Sequence, residues 1–326
     1  MSMSATNGRP APPAGAPRRM NLAAATSGVD RGPPRIFVYG VGGVGKTTFL
    51  SEAPSPVFID TQGGTEELDV TRFPKPHTWT DVLDAVDELI VTEHSHKTLV
   101  IDLVDDVEQM LFAHLCKQAN CANITEYGGG FNKGFDAAVP EWRNLVARLE
   151  RLRREKQMII GFVAHSTVKS FKNPEGPDYD RYQTLMNEKG SGFLRGWCTA
   201  VLLARHSVTL KVDKKKTRGV STGARVLQTV ETAAYYAKNR YNLPDTLSLD
   251  WVTFWEAVQA GQPASPDALR AEITELMQQL DEATREKVAS EVAKSGEDAA
   301  RLVRVLNKLR ERVQPQEQQP TTESAT

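Results

Sequence analysis

The stretch RIFVYGVGGVGKT, residues 35–47, joins a short apolar run to a glycine-rich segment, and it decides the fold. Its last part, GVGGVGKT at 40–47, matches the pattern G-x-x-x-x-G-K-[ST] at every fixed position. The apolar run before it predicts a buried strand, and a helix is expected to begin near Lys46. A strand, a glycine loop and a helix in this order predict a loop that binds nucleotide phosphates.

Each residue type in this loop has a chemical reason. Glycines let the backbone bend so that successive N–H groups converge on an anion, and the N-terminus of the following helix favours negative charge. Lys46 can reach the terminal phosphates, and Thr47 offers its hydroxyl to Mg²⁺. We therefore expect ATP and Mg²⁺ as cofactors, with nucleotide contacts from Gly40, Val41, Gly42, Gly43, Val44, Gly45, Lys46, Thr47 and Thr48.

A second apolar run supplies the acid that a phosphate loop needs for its metal. KTLVID at 97–102 predicts a strand that ends on Asp102. Because ligands bind at the carboxyl ends of strands in open α/β sheets, we expect Asp102 to hold Mg²⁺ together with Thr47. Asp105 and Asp106 come next, on a predicted helix, where acids near the N-terminus are ordinarily solvated.

The rest of the chain divides by composition. Strands that alternate with helices predict an α/β fold with a mainly parallel central sheet. We expect a core over 35–260 and a helical C-terminal region over 265–313, where leucines keep helical spacing. Two polar segments that have little to bury, 1–34 and 314–326, are expected to be disordered.

Bulk composition excludes a few classes of protein. A formal net charge of −1 gives no overall field that would drive the chain onto nucleic acid or a membrane, so any such contact needs a local patch. Apolar runs stay shorter than the roughly 18 residues of a membrane span. The three cysteines fit free thiols in a reducing compartment, so we expect a cytoplasmic protein without a membrane partner.

The class of phosphate-loop protein is narrowed by what surrounds the loop. The guanine-reading pattern of GTPases is missing, because the nearest string, AKNRY, lacks its aspartate. A small-molecule kinase stays possible, because the segment 166–196 contains arginines that could form a lid. His165 ends the predicted strand QMIIGFVAH, where it could sense the γ-phosphate or could simply pack.

Several strings together resemble a known family. The glycine loop, the strand-end Asp102, GFVAHS, the polar stretch 166–196 and AKNRYNLP follow one another in this order, and RFPKPHTWTDVLDAV at 72–86 adds to the likeness. Residues 35–255 resemble the phage-encoded RecA-like ATPases that act as single-strand annealing recombinases and are often called AAA-family proteins. The resemblance implies a RecA-like fold, binding of single-stranded DNA, self-association into a ring or filament, a single-strand binding protein as a partner, and the cytoplasm of a bacterial host.

The resemblance also implies roles for two distant cations. Lys238 and Arg240 are two residues apart, so in an extended segment they point the same way. In the broader RecA group such a pair reaches the ATP of the neighbouring subunit. A cation in that position offsets charge that develops on the transferred phosphoryl group. We expect this pair to act between subunits; a pair of solvated cations on a strand is the alternative.

One position departs from the family pattern. RecA-like enzymes usually place a glutamate just past the second strand, and Gln62 stands where we align it. An amide can orient water but cannot accept its proton. Either Glu66 or Glu67 could replace it if the loop folds back. We therefore expect slow ATP hydrolysis, with nucleotide acting mainly as an assembly switch.

Single-strand binding needs cations and flat side chains, and two segments supply them. They are the polar stretch after His165 and the basic cluster 211–219, with the candidates Lys169, Phe171, Lys172, Arg181, Tyr182, Lys214, Lys215, Lys216 and Arg218. The sequence predicts a DNA-stimulated ATPase that promotes annealing or strand exchange. Two other functions stay open: an ATPase switch that acts on a protein partner, such as a helicase loader or a remodelling factor, and a small-molecule phosphotransferase.

Overall fold

The computed structural model describes residues 22, 25–26, 32–213, 216–261, 266–278, 280–296 and 299–313. Their contacts divide the chain into one compact unit over residues 32–263 and another that contains residues 264–326. Apart from a few positions, the predicted N-terminal arm lies outside the described residues. The predicted tail, 314–326, lies entirely outside them.

The first unit is built on a sheet with a parallel centre. Its strands are β1 Arg35–Gly40, β2 Pro56–Asp60, β3 Thr71–Arg72, β4 Thr98–Asp102, β5 Ile159–Phe171, β6 Tyr179–Thr184, β7 Ala200–Asp213, β8 Lys216–Gln228, β9 Lys238–Asn239 and β10 Thr246–Ser248. They lie in the order β10-β8-β7-β1-β5-β4-β2-β3, with β6 beside β5 and β9 beside β7. The strands from β7 to β3 pair in parallel, whereas β6, β8, β9 and β10 pair antiparallel. The predicted α/β class with a mainly parallel sheet is confirmed.

Helices cover both faces of this sheet. They are α1 Lys46–Ser51, α2 Trp79–Val91, α3 Val104–Ala119, α4 Lys133–Glu155, α5 Glu188–Trp197 and α6 Trp251–Ala260. Strand β1 is apolar after Arg35 because alternate residues enter opposite cores: Phe37 and Tyr39 pack with α2 to α5, whereas Ile36 and Val38 pack with α1 and α6. Burial on both faces explains the continuous apolar run.

Local signals account for the starts of two of these helices. Helix α2 begins with a capping box, in which the Thr78 hydroxyl accepts from the Asp81 N–H and the Asp81 carboxylate accepts from the Thr78 N–H. The Asp250 carboxylate caps α6 in the same way, at 2.8 Å from the N–H of Thr253. These caps satisfy donors that have no partner within the helix.

Three elements differ from the sequence expectation. The sequence predicts a helix over 140–156, but α4 begins at Lys133, because its buried face, which includes Gly134 and Ala138, continues in front of Pro140. Strand β5 does not end at His165 but continues to Phe171 and forms a hairpin with β6. The stretch AAYYAKNR, expected to be extended, contributes only the two residues of β9.

The C-terminal unit is helical within the described residues. It contains α7 Pro266–Met277, α8 Glu282–Ser295 and α9 Ala299–Val313. Its core holds apolar residues from all three helices: Leu269, Ile273, Val288, Leu302, Val305, Leu306 and Leu309. Among the described helices, none combines the length and the apolar character needed to span a bilayer.

Candidate functional site

Four strands of the parallel sheet deliver polar groups to one edge. Register pairs Gly40 of β1 with His165 of β5, and Asp60 of β2 with Asp102 of β4. A cavity of about 280 Å³ lies beside these strand ends. Its lining includes eight residues that the sequence analysis selected: Gly43, Gly45, Lys46, Thr47, Thr48, Gln62, Asp102 and His165. It also includes Asp60 and Arg225, which that analysis missed.

The glycine loop adopts backbone conformations that only glycine takes readily. Gly43 and Gly45 have φ angles of 74° and 104°. A Cβ on Gly43 would meet nothing within 4 Å, so the loop is open on that side. Such a turn presents its backbone N–H groups to a cavity wide enough for a phosphate chain.

Lys46 supplies a buried positive charge at this loop. Lys46 is 5% exposed, and its ammonium donates to the carbonyl oxygens of Gly40 at 3.0 Å and Val41 at 2.9 Å. It forms no ion pair with the described residues, and burial lowers the pKa of Lys46 although Asp102 and Asp105 raise it. A buried ammonium without a carboxylate partner fits an anionic ligand.

Asp102 and Thr47 form the predicted metal pair. The Thr47 hydroxyl donates to Asp102 Oδ2 at 2.6 Å, at the end of β4. Burial raises the pKa of Asp102 to about 6, against the effect of the Thr47 hydrogen bond. A hydroxyl and a carboxylate are hard oxygen ligands of the kind that Mg²⁺ takes next to substrate phosphates. These two residues therefore fit a Mg²⁺–nucleotide complex.

Asp60 organises the loop after β2. Its Oδ1 accepts from the N–H groups of Gln62, Gly63 and Gly64 at 2.8–3.2 Å, and its Oδ2 accepts from the N–H and the hydroxyl of Thr65 at 2.8 and 2.6 Å. Burial raises the pKa of Asp60, but these hydrogen bonds hold it below its ordinary value. With its oxygens occupied, Asp60 positions the loop and is not a free base.

The same loop brings one of the three water-activating candidates to the cavity. Gln62 lines the cavity, whereas Glu66 and Glu67 do not. The Glu66 carboxylate folds back on Gly63, 2.7 Å from where a Cβ on that glycine would lie. The loop therefore brings Gln62, and neither Glu66 nor Glu67, to the cavity.

Helix α3 meets β5 behind the cavity through Asp105. The expectation of a solvated Asp105 is wrong, since it is 6% exposed. Its Oδ2 accepts from the backbone N–H of His165 at 2.6 Å and lies 3.5 Å from His165 Nδ1. Burial raises the pKa of Asp105 to about 7 and lowers the pKa of His165. This contact links α3, the helix after Asp102, to β5, the strand whose residue His165 lines the cavity.

Glu108, one turn further along α3, makes a second contact of this kind. Its Oε2 accepts from the N–H of Asn187, the N-cap of α5, at 2.7 Å. Asp105 and Glu108 thus bind the chain on both sides of the β5–β6 hairpin. Each of these two carboxylates keeps one oxygen without a hydrogen-bond partner among the described residues. The indole Nε1 of Trp142 likewise has no such partner. Burial raises the pKa of Glu108 to about 7.

The raised pKa of Glu108 predicts a pH dependence of stability. The folded state binds a proton that the unfolded state, with a pKa of about 4.3, releases, so unfolding free energy falls as pH rises from about 4 through about 7. In a Glu108→Gln variant this side chain is neutral at every pH. Between pH 4 and pH 8 we therefore expect the unfolding free energy of the wild type to fall by about 2–3 kcal/mol relative to that of the variant. Urea denaturation across this range measures the difference. The exposed Glu88→Gln is the control, and equal pH profiles for Glu108→Gln and the wild type would contradict the prediction.

The two distant cations lie away from the cavity of their own chain. Lys238 Nζ donates to the carbonyl oxygens of Arg195 and Gly196 at 3.1 and 2.6 Å, in the last turn of α5. Burial lowers the pKa of Lys238. Arg240 lines a separate cavity of about 450 Å³ with Glu231. Within one chain, Lys238 caps a helix and does not meet the glycine loop.

The DNA-binding candidates on the β5–β6 hairpin fall into two groups, those with partners in their own chain and those that stay exposed. Arg181 forms an ion pair with Glu231, donates to the Tyr235 carbonyl oxygen at 3.1 Å and lies over the Phe171 ring. Lys172 forms an ion pair with Asp178. Lys169 and Tyr182 stay exposed. Lys214 and Lys215 lie outside the described residues, as do the side chains of Lys216 and Arg218.

Comparison with known proteins gives the family. The sequence pattern of an AAA domain family matches residues 32–241, which contain the glycine loop, Asp102 and His165. The chain belongs to this AAA domain family. It is a nucleotide-binding ATPase of the P-loop type that the glycine loop predicted. No curated protein matches it.

A recombinase is among the solved structures that match this AAA domain protein, at low similarity. It is the RadB recombinase, at 16% identity and a TM-score of 0.34, over 60% of this chain and 80% of that chain.

Proposed function

We propose that this AAA domain protein binds ATP with Mg²⁺, binds single-stranded DNA, and promotes annealing or strand exchange as an oligomer. One observation carries the proposal. Strand β5 runs without a break from His165 at the cavity to Phe171 in the hairpin with β6. A nucleotide that moves the end of this strand can therefore change the hairpin, which has an exposed cation and an exposed ring.

The residues at the cavity divide the work on the nucleotide. Lys46 binds the terminal phosphates as a buried cation, and Thr47 and Asp102 hold Mg²⁺, which neutralises phosphate charge when bound. His165 lies next to the glycine loop, with Nε2 3.9 Å from the Cβ position of Gly42. It is the group best placed to distinguish a bound triphosphate from a diphosphate.

The hairpin supplies the DNA surface. Val168 and Tyr182 are cross-strand partners, 54% and 37% exposed, and Lys169 is exposed on the adjacent position. Exposed rings stack on bases and cations bind phosphates in sequence-independent single-strand binding. Asp105 and Glu108 hold both ends of this hairpin to the helix that follows Asp102. This arrangement supports communication between nucleotide and DNA.

Gln62 sets the expected rate of hydrolysis. Gln62 lines the cavity, and a side-chain amide there can orient water but cannot take a proton. A Gln62→Glu substitution supplies a base, and we expect ATP turnover to rise by about tenfold or more. Steady-state phosphate release measures this. A rate that is unchanged or lower would remove Gln62 from the water-activating position.

Self-association is the part of the proposal that involves the two distant cations, Lys238 and Arg240. Arg240 is exposed and lies outside its own nucleotide cavity, so it is available to a neighbouring subunit. Lys238 would have to leave the two carbonyl oxygens of α5 to join it. We therefore assign the trans contact to Arg240 and a structural role within the subunit to Lys238.

The test measures ATP turnover with and without a single-stranded oligonucleotide, together with gel shifts across a salt series with and without ATP and Mg²⁺. We expect DNA to raise turnover and affinity to fall steeply with salt. Lys169→Ala is expected to weaken DNA binding and to reduce the slope of log affinity against log salt by about one. The exposed Lys117→Ala, on α3, is the control.

Four results would contradict the proposal. Salt-insensitive DNA binding, or equal loss in the Lys169 and Lys117 variants, would remove the hairpin from the DNA surface. Turnover that DNA does not change would instead favour an ATPase switch with a protein partner. Production of ADP that depends on a small acceptor would favour a phosphotransferase.

A further inference from the structure

Arg225 is a cation of the nucleotide cavity that comes from the opposite flank of the glycine loop. It lies on β8, and its Nη1 is 3.4 Å from the carbonyl oxygen of Val44. A Cβ on Gly45 would lie only 2.6 Å from the same nitrogen. Gly45 is therefore required twice, for its φ of 104° and for the space that the guanidinium occupies.

The backbone of Arg225 is held on both sides. It pairs with His206 of β7, and its carbonyl oxygen accepts from the N–H of Leu249 at 3.0 Å. The next residue, Val226, pairs with Ser248 of β10. The side chain thus projects from a fixed position and is not brought to the loop by a mobile segment.

The guanidinium has unused binding capacity. Within the described part of the chain, its hydrogen bond to Val44 is its one contact to a polar group, at a distance near the limit for such a bond. No carboxylate among those residues forms an ion pair with it, and the side chain is exposed. An arginine presents five N–H donors in a planar fork that matches phosphate oxygens.

Its position differs from that of Lys46. Lys46 is buried and donates to Gly40 and Val41, at the start of the loop. Arg225 lies at the end of the loop, beside Val44 and Gly45, and lines the same cavity as Thr47 and Thr48. Two cations therefore flank the loop from the two sides, and both belong to one chain.

We propose that Arg225 binds the phosphate chain of the nucleotide within the same subunit. The inference rests on the nucleotide site of the proposed function, but it needs neither DNA nor a second subunit. Arg225 is a positioning and affinity residue for nucleoside di- and triphosphates. Its bidentate donors add to the grip of the loop, and they stay exposed until the phosphates arrive.

Equilibrium titration with a fluorescent ATP analogue tests this on the full chain with Mg²⁺. We expect Arg225→Ala to raise the dissociation constant about tenfold and Arg225→Lys to raise it less, because lysine keeps the charge and loses the fork. Competition with ADP should show the same loss, whereas competition with adenosine should show none. The exposed Arg143→Ala, on α4, controls for the lost charge and should bind as the wild type does.

Four outcomes would overturn the proposal. Equal dissociation constants for Arg225→Ala and the wild type would remove Arg225 from the phosphates. An equal loss for adenosine would place its contact on the base or sugar. A lower melting temperature of Arg225→Ala without nucleotide, with affinity restored on cooling, would make its role structural. If the wild type and Arg225→Ala bind ATP equally, only the Arg225 proposal fails. If the wild type binds ATP but does not bind DNA, the Arg225 proposal stands and the DNA function fails. A wild type that binds no ATP overturns both.

Discussion

A Lys46→Ala protein is expected to lose ATP binding altogether at nucleotide concentrations that saturate the wild type. The ammonium is the buried positive charge at the glycine loop. The other cation that flanks the loop, Arg225, is exposed and lies at its opposite end, so it does not replace Lys46. A saturating ligand at 100 times its dissociation constant stabilises the folded state by about 2.7 kcal/mol. The variant should show no such ATP-dependent rise in melting temperature.

The same variant should stay folded without nucleotide. Burial of the Lys46 ammonium is unfavourable, as its lowered pKa indicates, so its removal offsets the two hydrogen bonds to carbonyl oxygens that are lost. We expect its melting temperature in buffer alone to lie close to that of the wild type. A protein that unfolds in buffer, or one that still gains stability from ATP, would contradict this account of Lys46.

An Asp60→Ala protein is expected to be the least stable of the variants considered. The substitution removes the acceptor for four backbone N–H groups and one hydroxyl in a loop that ends at the buried Thr65. A buried donor without a partner costs about 1–3 kcal/mol, and water can reach part of this loop. We expect a loss of about 3 kcal/mol in unfolding free energy.

The pKa of Asp60 adds a pH signature to this prediction. Because the pKa is lowered in the folded state, its contribution is present above the unfolded value of about 3.9 and is lost as pH falls through the folded value. The gap between Asp60→Ala and the wild type should therefore be constant near neutral pH and narrow below about pH 4. Urea denaturation measures both, with the exposed Asp69→Ala as the control. An Asp60→Ala protein as stable as the wild type would show that the loop does not depend on this carboxylate.

Much of the core was predictable because its signals are local. The run RIFVYG is apolar at consecutive positions, which happens when a strand is covered on both faces, and the capping residue Thr78 lies next to the helix that it starts. The position of Asp102 was predictable because an acid at the end of an apolar strand is recognised from the few residues that precede it in the sequence. These features require no knowledge of what lies across the fold.

Side chains whose partners are distant in sequence were not predictable in this way. Arg181 stands in a basic and aromatic stretch, yet it is committed to Glu231, 50 residues away. Asp105 resembles a solvated acid at a helix start, yet the backbone of His165 lies against it. Asp60 ends a strand before two glycines, but nothing in that local pattern shows that its carboxylate accepts hydrogen bonds from the backbone of the four residues that follow Thr61.

By itself, the amino-acid sequence determined the α/β class, the glycine loop and its lysine, and the acid at the end of β4, because spacing of residues along one strand or turn encodes each of them. Tertiary structure decided which side chains share the nucleotide cavity. It brought Arg225 to Gly45 and Asp60 to the cavity wall, and it turned Lys238 and Arg181 toward their own chain. The physical reason is that a cation or carboxylate takes its role from the partners that pack against it, and the sheet brings those partners from strands far apart in the sequence.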